Sequence, residues 1–280
     1  MNSLVQALHD GTRVPRLGYG LWQVEARDSA ALVAHAIRTG YRLIDTAEAY
    51  YNEEGVGEGI RAAGVPREEI FVATKVWNTH HGHDLTLGAF EASLQRLGLD
   101  YVDLYLIHWP SRIRNAYVDT WRALIRLKEE GLAKAIGVCN FAIPQLQRLI
   151  GETGVVPVLN QVELHPYFQQ RALREFHARN GIATQSWSPL GLWKDRSATP
   201  LNDPRVLALA AKHGKTPAQV ILRWHLDNGL MLISKSARPA RIEENCQLFD
   251  FALDDEDLAS LASLDRADGR LGPDPETADF

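Results

Sequence analysis

"GYRLIDTAEAYYNEEGVGEGI", residues 40–60, changes character partway along. Its apolar start, "YRLIDT" (41–46), reads as a short buried strand, and the later part reads as a helix over 53–63. The same alternation recurs along the chain. Comparable apolar or β-branched runs are "RLGYGLW" (16–22), "IFVATKV" (70–76), "VDLYLIHW" (102–109), "AKAIGVCNF" (133–141), "VPVLNQVEL" (156–164), "IATQSWSPL" (182–190) and "LMLISKS" (230–236), giving eight strands in all. Between them, helical periodicity predicts helices at 28–39, 84–97, 117–130, 169–179 and 216–228. Asp28 is expected to cap the first helix, Gly40 to stop it, and Pro217 in "TPAQ" to occupy a first helical turn.

Eight β/α units within 280 residues predict an α/β fold of the closed (β/α)8 TIM-barrel type. An N-terminal β-hairpin turning at Asp10-Gly11 is expected to plug one barrel end, with an extra helix at 254–265. An open Rossmann sheet fits less well, because "GYGLW" is not followed by the glycine spacing of a pyrophosphate turn. No linker, low-complexity tract or charge block divides the chain, so residues 1–280 are expected to form a single domain.

Composition narrows the function classes. Hydrophobic residues make up 45% and charged residues 23% of the chain, enough to bury a large core, and the net charge of −5 offers no basic face to nucleic acid. No apolar run approaches the length of about 18 residues that a bilayer requires. The start, "MNSLVQALHDG", lacks the charged and apolar regions of a secretion signal, so a cytoplasmic protein is expected. Cys139 and Cys246 are too few for a disulfide framework or a zinc cluster. His80, His81 and His83 sit in a loop pattern without a supporting shell, so no metal is expected. With no heptad pattern, a monomer is expected.

The chemistry sits at the strand ends. In a barrel, polar residues near the C-terminal ends of strands face the mouth, where Asp45, Tyr50, Lys75 and His108 are expected to converge. A carboxylate at the end of a buried strand needs an answering charge, and Lys75 supplies one. That cation is also expected to draw the Tyr50 phenol, ordinarily near pKa 10, down toward neutrality, and His108 to hold a substrate oxygen. The implied chemistry is proton delivery to a carbonyl oxygen. No serine, cysteine or second lysine is placed to attack the carbonyl, which leaves a bound hydride donor as the complement.

At this point the sequence resembles the aldo-keto reductase family along nearly its whole length. The motifs "GYRLIDTAEAYYNEEGVG", "DLYLIHWP", "GVCNF", "NQVELHPY", "WSPLG" and "KSARPARIEEN" occur in family order, with Lys75 between the first two. Trp187 and the ending "IEENCQLFDFAL" are most similar to the bacterial branch that includes 2,5-diketo-gluconate reductases. The resemblance implies that Tyr50 is the general acid, that Lys75 and Asp45 tune it, and that His108 orients the carbonyl. It implies NADPH as cofactor. Asn140, Gln161 and Cys139 would meet the carboxamide, Trp187 would stack on the nicotinamide, and Ser188 and Leu190 would follow the cofactor. Lys235, Ser236, Arg238 and Arg241 would take the 2′-phosphate, with Glu244 and Asn245 near the adenine. Relatives commonly carry serine where Cys139 stands, and a thiol is a weaker donor.

Trp22, Trp77 and Trp109 are expected to line the substrate cleft with His108. Short segments "SRIRNAY" and "GLWKDRSATPLND" predict an open mouth, and Arg112 and Arg114 on the first are read either as solvated loop arginines, the commoner case, or as steering an anionic sugar acid or keto acid. The substrate is thus a small carbonyl compound such as 2,5-diketo-gluconate, methylglyoxal or a keto ester. Two alternatives use the same barrel: a cofactor-binding, redox-sensing regulatory subunit, and a lyase or isomerase with Lys75 as Schiff base.

Overall fold

A computed structural model describes residues 4–192, 199–278 and 280. Strands β1 (Val5–Ala7) and β2 (Arg13–Pro15) pair antiparallel. Eight parallel strands follow: β3 (Leu17–Gly20), β4 (Leu43–Asp45), β5 (Phe71–Val76), β6 (Val102–Ile107), β7 (Ala133–Cys139), β8 (Leu159–Glu163), β9 (Ala183–Trp187) and β10 (Met231–Ser234). They close into a barrel in chain order, β10 pairing with both β3 and β9. Each lies inside one of the eight runs read from the sequence.

The helices are α1 (Ala26–Thr39), α2 (Glu53–Ala62), α3 (His83–Leu97), α4 (Tyr117–Glu129), α5 (Ile143–Thr153), α6 (Arg171–Arg179), α7 (Pro204–His213), α8 (Pro217–Asp227), α9 (Pro239–Cys246) and α10 (Asp255–Ala262). Helices α5, α7 and α9 go beyond the set expected from periodicity. Asp28 is not a cap. Helix α1 starts earlier, after Glu25, so Asp28 falls in its first turn, where its charge suits the helix dipole. Gly40 does end that helix, with φ at +122° and its N–H turned back to Ala36 and Ile37. Thr216 and Gln219 form a reciprocal capping box at the start of α8, with Pro217 in the first turn. None of the described helices is long and apolar enough to cross a membrane.

Side chains alternate in and out along each barrel strand, and this period of two sorts the residues. Val72, Val76, Tyr105 and Ile107 point out and pack under the helices, in the larger hydrophobic cluster. Leu43, Ala73, Leu104, Leu106, Ala135, Leu159, Ala183, Met231 and Ile233 point in and fill the interior. Gly18 leaves room there, since a Cβ on it would lie 2.5 Å from Ile233 and 2.8 Å from Leu43. Leu8 and Val14, from the hairpin, join this interior cluster and close the end below the strand N-termini. Continuing the same alternation upward places Asp45, Lys75 and His108 on the inward face at the opposite end.

Buried histidines tie the outer layers together. His177 meets Asn160 at 3.1 Å and Thr184 at 2.9 Å, while His225 meets Ser186 at 3.0 Å and the Pro189 carbonyl at 3.1 Å. Burial lowers their pKa values from 6.5 to about 4 for His177 and about 3 for His225. Below pH 6.5 the unfolded chain therefore binds protons that the folded chain refuses, and each group removes about 1.4 kcal/mol of stability per pH unit between those limits. The urea midpoint is expected to fall as pH drops from 6.5 toward 4, with a shallower slope in His225→Gln; a midpoint independent of pH over that range contradicts this assignment.

Candidate active site

The mouth of the barrel holds a cleft of about 700 Å³. Asp45 comes from the end of β4, Lys75 from β5 and His108 from the residue after β6. Tyr50 ends a single 3-10 turn, Glu48–Tyr50, that folds back from β4. Lys75 Nζ donates to Asp45 Oδ1 at 2.5 Å and to the Thr46 carbonyl at 2.8 Å, and sits 5.0 Å from the centroid of the Tyr50 ring. The other carboxylate oxygen, Oδ2, accepts from Gln161 Nε2 at 2.9 Å. Tyr50 and His108 meet edge to face at 5.5 Å, and Trp77 also meets His108 edge to face, at 5.0 Å.

The electrostatics differ from the sequence expectation at one point. The Tyr50 phenol is pushed up to about 12, because burial disfavours the phenolate more than Lys75 favours it, and Asp45 adds to the rise. It is a neutral hydroxyl at pH 7. Burial alone would lower the Lys75 pKa, but the adjoining Asp45 reverses this and holds the ammonium charged. An amine held as the ammonium and set behind the cleft lining is poorly placed to form a Schiff base, which counts against the lyase reading. His108 is held well below 6.5 by burial first, then by Lys75 and His81. His81 is itself buried, with neither ring nitrogen hydrogen-bonded, and lies at about 4 because of its burial and Arg114. Among the described residues, no cluster of three potential ligands is disposed to hold a metal ion.

Most expected site residues line this cleft: Asp45, Tyr50, His108, Trp22, Trp77, Trp109, Asn140, Gln161, Trp187, Ser188, Leu190, Lys235, Ser236, Arg238 and Arg241. Lys75 lies behind the lining, fully buried. Cys139 does not line it. The alternation that turns Ala135 inward also turns Cys139 inward, where its thiol faces Gln161 Oε1 at 3.9 Å and burial raises its pKa. Asn140, the next residue, turns toward the cleft through a left-handed backbone, φ +62°. Glu244 and Asn245 are also outside the lining, since Glu244 accepts the Thr216 hydroxyl at 2.8 Å and Asn245 is buried. Arg112 and Arg114 are exposed and do not reach the cleft. Part of the segment "GLWKDRSATPLND", residues 193–198, lies outside the described residues.

Asn140 and Gln161 already have partners. Asn140 accepts Trp187 Nε1 at 2.7 Å and donates to the His108 carbonyl at 3.0 Å, and Gln161 also donates to Gln185 Oε1 at 2.8 Å. Each amide oxygen retains a second lone pair for a ligand. Lys235, Ser236 and Arg238 lead into the N-terminus of α9, which carries Arg241, with the Ser236 carbonyl fixed by Tyr19 Oη at 2.8 Å. The cleft further contains Gln23, Tyr51, Pro273 and Phe280, which no local pattern singles out. Phe280 stacks on Trp77 at 5.8 Å and meets Trp109 edge-on at 5.1 Å, and its main-chain oxygen accepts from Asn78 at 2.8 Å.

A barrel with this cluster at its mouth defines a class, and the comparisons agree: residues 16–266 match the Aldo/keto reductase family, to which the chain belongs. An aldo-keto reductase of Mycolicibacterium smegmatis is 51% identical over 98% of this chain and 97% of its own. A protein of Yersinia pestis named methylglyoxal reductase DkgA is 51% identical over 96% of this chain and 95% of its own. The crystal structure of a Gox0644 mutant in complex with NADPH superimposes with a TM-score of 0.93 at 49% identity, covering 99% of this chain and 98% of that one.

Removing Asp45 leaves Lys75 buried without its counter-ion. Asp45→Ala is expected to cost about 3–5 kcal/mol of stability at pH 7. Urea unfolding measures this, and a loss under about 1 kcal/mol means that the pair contributes little to folding.

Proposed function

We propose that this protein is an NADPH-dependent oxidoreductase that reduces the aldehyde or ketone group of a small substrate to an alcohol, with Tyr50 as general acid. The observation that carries the reading is a neutral phenol in an aromatic cleft with a buried ammonium 5.0 Å from its ring. The cleft suits the cofactor at both ends. Trp187 and Asn140 offer a flat face and an amide oxygen at one end, while Lys235, Arg238 and Arg241 gather at the other, by the start of α9. Two arginines and a lysine suit the extra phosphate of NADPH, and a structure of comparable fold was obtained in complex with NADPH. When bound there, NADPH supplies the hydride that goes to the carbonyl carbon.

The chain's own residues handle the oxygen. His108, neutral, donates one N–H to the carbonyl oxygen and holds it near Tyr50. With a pKa near 12 Tyr50 carries its proton at pH 7, and transfers it as charge develops on that oxygen. The Lys75 ammonium then stabilises the phenolate left behind. Trp22, Trp77, Trp109 and Phe280 surround this point with apolar surface and limit water. Because Arg112 and Arg114 lie outside the lining, no cation among the described residues faces the substrate end except Lys75 behind Tyr50. A small neutral dicarbonyl such as methylglyoxal fits that surface better than an anionic sugar acid, in line with the name of the Yersinia pestis relative.

Tyr50→Phe is expected to lower kcat about 10²-fold or more while NADPH binding stays near wild type. Steady-state rates and a cofactor titration separate the two, and lost cofactor binding with unchanged kcat contradicts the assigned role. Arg241→Ala is expected to weaken NADPH about tenfold and NADH hardly at all, as for loss of one hydrogen bond to a charged phosphate. Equal losses for both cofactors argue against a 2′-phosphate contact.

A further inference from the structure

Residues 265–278 and Phe280 lie over the barrel mouth after α10, and the first part of this segment is pressed onto the one that follows β8. The Arg266 N–H donates to the Tyr167 carbonyl at 3.1 Å, and its guanidinium lies 3.6 Å from the Tyr167 ring centroid. Gly269 approaches so closely that a Cβ on it would lie 1.8 Å from the Tyr167 oxygen. Arg270 covers the Phe168 ring at 4.6 Å. The last fastening is of another kind. The main-chain N–H groups of Leu271 and Gly272 donate one each to the two carboxylate oxygens of Glu163, at 2.6 and 2.8 Å.

Glu163 is the last residue of β8 and is 1% exposed. Its remaining partner is His165 Nε2 at 3.1 Å. A buried carboxylate is retained at low cost only where donors answer it, and two main-chain N–H groups from a segment more than a hundred residues away are the principal answer here. Glu163 pairs in register with Trp187 of β9. A Cβ on Gly272 would lie 2.6 Å from Trp187 Cη2 and 2.9 Å from Glu163 Oε2, so the glycine lets the carboxylate draw the tail flat against the indole edge. Past this point the tail folds on itself, with the N–H groups of Glu276, Thr277 and Ala278 all turned to Asp274. Among the described residues, no hydrogen bond or ion pair joins 273–278 to the barrel. The chain is next held at Phe280, against Trp77 and Trp109 on the far side of the cleft.

We propose that Glu163 is a positioning residue that latches Leu271–Gly272 to the barrel mouth and thereby sets the wall that Pro273 and Phe280 present to the substrate. It rests on the carbonyl-reductase reading for the identity of the substrate, but the latch itself does not. Loss of the latch frees one end of the span across the cleft. A substrate large enough to touch the far wall then binds less well, while the chemistry at Tyr50 is unchanged.

The test compares Glu163→Ala and Gly272→Ala with wild type. The second leaves the carboxylate intact and wedges the tail off Trp187, so it carries the test alone if Glu163→Ala does not fold. Without substrate or cofactor, trypsin cleavage after Arg270, followed by mass spectrometry, is expected to be about tenfold faster in both variants, the size expected for losing a charged hydrogen bond. With NADPH, KM for phenylglyoxal is expected to rise about tenfold while that for methylglyoxal moves by less than about threefold and kcat for both stays within about twofold. Wild-type cleavage rates in a folded variant, or equal KM changes for the two substrates, overturn the proposal. A wild-type chain that reduces neither compound overturns the carbonyl-reductase reading, and the trypsin comparison still decides the latch.

Discussion

The ion pair between Asp45 and Lys75 is the constraint around which the mouth of the barrel is organised. Both groups are almost wholly out of water, where removing a charge from solvent costs several kcal/mol. The arrangement survives because their polar atoms are answered: Asp45 by Lys75 and Gln161, Lys75 by Asp45 and the Thr46 carbonyl. This fixes β4, β5 and β8 relative to one another at their C-terminal ends. It also sets the charge state of everything nearby. A retained ammonium helps keep His108 neutral and lies under a phenol that is itself neutral, so the cleft holds one proton donor and one hydrogen-bond donor at pH 7.

The same strands support this polar layer on an apolar one. Along β4 the inward positions run Leu43 then Asp45, along β5 Ala73 then Lys75, and along β6 Leu104, Leu106 and then His108. Lower positions are packed by their neighbours and by the hairpin residues Leu8 and Val14, which close the opposite end. Stability and chemistry are thus divided by height in one barrel. The outward positions are a separate matter, committed to packing under the helices.

One side of the cleft is built differently. Trp22, Trp77 and Trp109 belong to strand ends or their adjoining loops, whereas Pro273 and Phe280 belong to a segment that folds back across the mouth. Its anchoring on Tyr167, Phe168 and Glu163 couples the substrate side of the cleft to β8, and through Trp187 to β9. The amide of Asn140 completes this link by accepting the Trp187 N–H while donating to the His108 carbonyl.

The eight strands, the hairpin and the grouping of Asp45, Tyr50, Lys75 and His108 were legible in the sequence because they follow from local regularities: apolar runs, a side-chain period of two, and the rule that strand C-termini share one mouth. What depends on distance between remote parts was not. The direction of the Tyr50 shift is set by how completely the folded chain excludes water, which no spacing reveals, and the expectation that Lys75 would dominate was wrong for that reason. The direction of Cys139 was not legible for a smaller cause: the resemblance suggested a cofactor contact, while the pleat turns the thiol into the interior and the left-handed turn at Asn140 presents the next residue to the cleft. Phe280 carried no local signal, and Glu163, a carboxylate at a strand end as Asp45 is, gave no sign of what answers it, since their partners lie more than a hundred residues away in sequence and become neighbours only once the barrel closes and the tail crosses it.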